Sequence, residues 1–118
     1  MQLQNYPTAI AEKQRQLLSI QQQLRVAKET VAFALSGIER KIAFDDTLKN
    51  EAQRKAKKKA LTETDIDYIE ANTALRRLEE VSAEQDIELG LLLNQFSVLK
   101  LEARQEIASL EAQSAIAA

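Results

Sequence analysis

The chain has no cysteine and no histidine. That removes disulfides, thiolate and imidazole metal ligands, and every nucleophile–base pair built on those side chains. One proline and two glycines in 118 residues leave almost none of the punctuation that turns and strands need. No run of about eighteen apolar residues could span a membrane. The opening MQLQNYPTAI lacks the basic segment leading into an apolar one that marks a secretory signal. No membrane association, no cofactor and no metal are therefore expected, and the cytoplasm is the expected location.

What is abundant is Ala, Leu, Glu, Lys, Gln and Arg, all strong helix formers, and no window alternates with the period of two that a half-buried strand requires. The fold class is all-α, and the length allows one domain, 1–118. Pro7 suits the first turn of a helix, where its missing N–H costs nothing. From there Ile10, Leu17, Leu24, Val31 and Ile38 recur every seven residues, with Ile20, Ala27 and Ala34 at the partner position. This is a coiled-coil seam, weakened by Lys13 and Lys41 in the second series. It fades at Asp45–Asp46–Thr47, so the first helix is placed at 7–44.

A second seam follows in Tyr68, Leu75, Leu89, Phe96, Ala103 and Leu110, partnered by Leu78, Leu92 and Leu99. Thr62 or Thr64 serves as its N-cap, with Asp65 and Asp67 suited to the first turn. The second helix is placed at 64–112, the connection at 45–63 and a frayed end at 113–118. Ser82 and Gln85 interrupt the seam. Folding one helix back on the other sets Val31 level with Leu78, Ile20 with Leu89 and Leu17 with Leu92, and brings Gln21, Gln22 and Gln23 opposite that interruption. The expected architecture is a long antiparallel, coiled-coil-like helical hairpin with a short basic helix in its connection.

Two paired helices bury too little to offset the ordering of such a chain. A second face, from Leu18, Phe33, Leu35, Leu91, Leu93, Leu101 and Ile107, is also left uncovered. A homo-oligomer is expected, held through Leu17, Leu24, Val31, Leu89, Leu92, Phe96, Leu99, Ile107 and Leu110.

Charge is sorted along the chain. Residues 1–46 carry six bases and five acids, 47–60 six bases and one acid, and 61–118 four bases and twelve acids. The acid pairs Asp45–Asp46 and Asp65–Asp67 fit helix-end chemistry better than catalysis, and neither an EF-hand spacing nor a glycine-rich phosphate loop is present. No enzyme is expected. In LKNEAQRKAKKKA, residues 48–60, taking Asn50 as an N-cap puts Arg54 and Lys58 on one face, with Lys55 and Lys59 beside them. Together with Lys57, and Lys49 at the edge, they form a strip along which single-stranded DNA or RNA could lie. No aromatic residue sits within the run to stack on bases, so contact would be to the backbone and without sequence preference. The alternatives are a solvated linker helix, or a strip that meets the acidic second half of another subunit.

The segment LKNEAQRKA, preceded by acids and followed by a long helix ending in FSVLKLEAR, resembles small helical proteins of phages and mobile elements encoded near single-strand-annealing recombination genes. The layout is also similar to the UvsY family of phage recombination mediators. The resemblance implies a place in DNA recombination or repair, and a recombination protein as a partner. On this reading the chain is a non-enzymatic accessory protein. The alternative is a structural coiled-coil adaptor or scaffold that binds a protein partner.

Overall fold

The computed structural model describes residues 1–117, and among these the order is a 3-10 turn at Leu3–Asn5, then α1 (Tyr6–Ala43), α2 (Glu51–Thr64) and α3 (Ile66–Ala117). The all-α hairpin is what forms, with α1 and α3 antiparallel. Its contacts group into two units, Met1–Leu18 with the chain from Ala83 onward, and Ser19–Ser82.

In the first unit, Ile10 and Leu17 are buried and α3 turns Leu89, Leu92, Phe96 and Leu99 inward, each half-buried. The two heptad lines are thus the packed ones. Their register differs from the expected one by a heptad. Tyr6 stacks on Phe96, with ring centroids 5.8 Å apart and planes 7° from parallel, and its hydroxyl donates to Gln95 Oε1 at 3.3 Å. The expected register would set Ala103 across from Tyr6. Lys13 accounts for the shift, because its ammonium donates to Gln85 Oε1 at 2.9 Å and pairs with Glu88. The interruption in the second seam therefore receives Lys13, and not the glutamines at 21–23.

In the second unit Ile38 is fully buried, flanked by Glu39, which pairs with Lys58 of α2, and Lys41, which pairs with Asp65 at the start of α3. All three helices meet there. Leu78 shares a shallow cleft with Ser19, Gln22, Gln23, Val26 and Ala27, so it lies at least one helical turn from its expected partner Val31. A seam of repeated heptads tolerates such slips, since apolar still meets apolar.

Two boundaries also move. Thr62 and Thr64 do not cap α3, because their hydroxyls donate back to the Lys59 and Ala60 carbonyls within α2. Asp65 is the cap: its backbone leaves the helical region at ψ 115°, and its carboxylate accepts from the Tyr68 amide at 3.0 Å. At the other end α3 does not stop at 112 but continues to Ala117. The sequence there has no glycine or proline to end it. Residue 118, at the end of the segment expected to fray, lies outside the described residues.

Candidate nucleic-acid interface

The candidate strip is built on α2, and its start is fixed by local hydrogen bonds. Asn50 is extended and its side chain accepts from the Gln53 amide at 2.9 Å. Gln53 in turn accepts from the Lys49 amide at 2.6 Å. This exchange resembles a capping box, satisfying two otherwise free N–H groups. The preceding turn is closed by Asp45, whose carboxylate accepts from both the amide and the hydroxyl of Thr47. The Thr47 hydroxyl first, then its amide, hold the Asp45 carboxyl below its ordinary value, and Lys57 adds a weaker pull.

Every residue from Glu51 to Ala60 is exposed. The helix therefore contributes almost nothing to the core, and its side chains are free to serve another surface. The six bases are not equivalent. Arg54 pairs with Glu51 at 3.1 Å and Lys58 with Glu39 at 3.3 Å, while the Lys49 ammonium donates to the Asp46 carbonyl at 2.9 Å. Among the described residues, Lys55, Lys57 and Lys59 reach no acid within ion-pair distance. Arg54, Lys55 and Lys58 line a shallow cleft with Glu39, Ile42 and Glu51. Lys59 follows Lys55 by one turn on the same flank, and Lys57 projects from the opposite flank.

Two of the six bases are thus paired within the chain, and only in exposed ion pairs, each worth about 0–1 kcal/mol. A phosphate can displace such partners at small cost. Past Ala60 the charge reverses, with Glu63, Asp65 and Asp67 following in sequence, so an anionic polymer would be held along the first turns of α2. Asp65 itself is occupied: the Tyr68 amide above all, against the opposing effect of burial and with the Lys41 ammonium adding a lesser pull, holds its carboxyl below the ordinary value.

The residues expected to hold copies together fall into two sets. Leu17 is buried, and Leu24, Val31, Leu89, Leu92, Phe96 and Leu99 are half-buried, all on the lines where α1 and α3 pair within the chain. Ile107 and Leu110 are more than half exposed. Leu110 continues the inner line of α3 past the start of α1, since Tyr6 is level with Phe96, and Ile107 lies beside that line. The second apolar face also stands open: Phe33 is 82% exposed, and Leu18, Leu91, Leu93, Leu101 and Ile107 are exposed with it, while Leu35 is half-buried.

Tyr6 is a core residue that the heptad reading from Ile10 onward does not include. It stands seven positions before Lys13 in the partner series, so the heptad itself contained the signal. Among the described residues no group of three or more acids is placed to hold a metal ion, and no helix is long and apolar enough to cross a membrane. The molecule belongs by its fold to the antiparallel helical hairpins. No family model matches the chain, and no curated protein or solved structure matches it.

Proposed function

We propose that this chain is a non-enzymatic accessory protein of DNA recombination or repair that self-associates and holds single-stranded nucleic acid by its backbone along α2. The observation that carries the reading is the state of α2: a firmly capped helix, exposed from Glu51 to Ala60, with Lys55, Lys57 and Lys59 unpaired among the described residues. A helix that adds so little to the core and keeps so much like charge in one place is built for an anionic partner. The place in recombination rests on the resemblance of LKNEAQRKA to phage and mobile-element proteins.

The test is fluorescence anisotropy of a labelled single-stranded oligonucleotide, with a duplex control, across a range of salt. Three to five phosphate contacts give a slope of log K against log salt of about −2 to −3.5. Changing Lys55, Lys57 and Lys59 together to Glu keeps helix propensity and should abolish binding with helicity unchanged. Unaltered affinity in that variant would sink the reading.

A second reading, a coiled-coil adaptor for a protein partner, is favoured by one observation. The end of α3 beyond α1 is exposed throughout, Ile107 and Leu110 included. A single helix of that length is marginal in water on its own.

A further inference from the structure

The α3 helix carries a second heptad line that faces away from α1, apart from Asn94 and Val98, which edge a shallow cleft shared with Met1 and Tyr6. Ile87, Leu91, Asn94, Val98, Leu101 and Gln105 follow one another at alternating steps of four and three, and Ala108 and Ala112 continue the line. At 3.6 residues per turn these positions lie on the side opposite Leu89, Leu92, Phe96 and Leu99, which face α1. The apolar members are open to solvent: Ile87, Leu91, Val98 and Leu101 are between 54% and 65% exposed. A line of this kind sustained over nearly four heptads is the pattern of a coiled-coil seam.

We propose that a second copy of this chain docks on this outer face of α3, antiparallel, with Val98 of each copy against Leu101 of the other. This rests on the self-association clause of the proposed function and names its surface. The choice of occupant follows from the sequence of the seam, which is complementary to its own reverse. With Val98 on Leu101, Asn94 of one copy falls on Gln105 of the other, Leu91 on Ala108 and Ile87 on Ala112. Polar meets polar at two symmetric layers, where side-chain amides can bond each other and fix the register. Large meets small in every outer layer, so the helix separation stays even along the seam.

A parallel pairing would set Ile87, Leu91, Val98 and Leu101 on themselves at one end and Ala108 and Ala112 on themselves at the other. The two helices would then need different separations at their two ends, leaving voids or overpacking. The flanking positions also suit the antiparallel order, since Gln95 comes near Glu102 and Ser97 near Arg104, with no like charges opposed. The exposed end of α3 gains a support as well. Its Ala108 and Ala112 would lie on the part of the other α3 that α1 already braces.

The absence of cysteine makes the test direct, because one substitution introduces one thiol. Ile87→Cys and Ala112→Cys are prepared separately in the full chain and oxidised alone and mixed. In the antiparallel order a disulfide-linked dimer forms only in the mixture, because like positions lie about 37 Å apart along the axis, far beyond disulfide reach. In parallel, each variant links to itself. Sedimentation equilibrium of Val98→Glu/Leu101→Glu should show the mass halved relative to the unaltered chain, with helicity retained. Self-linking of each single variant, or an oligomer untouched by the glutamates, overturns this seam and leaves self-association standing. A monomeric unaltered chain at tens of micromolar overturns both, while oligonucleotide binding remains a separate readout.

Discussion

Tyr6 and Lys13 decide the register of the first unit by different means. The tyrosine is 6% exposed, so its ring is core, whereas its hydroxyl makes one long, part-buried hydrogen bond to Gln95. Removing the ring loses buried area, the stack on Phe96 and the packing around it, about 3 kcal/mol or more. Removing only the hydroxyl loses about 1 kcal/mol or less. In urea unfolding followed by circular dichroism, Tyr6→Ala should therefore shift the midpoint well beyond Tyr6→Phe. Equal shifts would mean that the hydrogen bond, and not the stack, holds this end. Lys13 looked from sequence like a flaw in an apolar line. It is better described as a register mark, because only one alignment offers its ammonium both Gln85 and Glu88. Apolar heptads alone cannot supply that information, since a slip of seven positions costs them almost nothing.

At the scale of the element, the break between α2 and α3 depends on one carboxylate. Asp65 ends α2, caps α3 through the Tyr68 amide and pairs with Lys41 of α1. Its folded pKa is lowered, first by the Tyr68 amide, so its contribution to stability is complete above the unfolded carboxylate value of about 3.9 and is lost as pH falls through the lower folded value. Thermal melts recorded at descending pH should show a loss of stability in that acid range that Asp65→Asn reduces, because the amide still caps but does not titrate. An identical acid response in the variant would show that other carboxylates carry it. Much of this level was legible in sequence. The heptad lines, the end of α1 just before Asp45 and the Asn50 cap are all legible from residue type and spacing. The start of α3 is not, because Thr62, Thr64 and Asp65 are all competent caps within four positions, and only the backbone bend at Asp65 selects one. The basic strip was legible as composition, but which lysines remain free was not. That depends on Glu39, remote in sequence and brought to Lys58 by the fold.

For the whole molecule, the two open surfaces make separate demands that one truncation can tell apart. The described residues from Gln105 onward lie past the level at which Tyr6 meets Phe96, and those through Ile116 are exposed. Removal of residues 105–118 deprives α1 of no seam partner, so the melting temperature of the isolated chain should change little. The same removal takes away Gln105, Ala108 and Ala112, which supply half of each outer pairing on α3, together with Ile107 and Leu110. Light scattering should then report a lower mass, and a protein partner held by this end should no longer be retained in a pull-down. Binding of the oligonucleotide by α2 should persist in weakened form, because two linked strips hold a strand more tightly than one. An unchanged mass together with an intact pull-down would count against both uses of the exposed end. A lowered mass with full oligonucleotide affinity would show that each copy of α2 acts alone, and that association through α3 serves some purpose other than holding the strand.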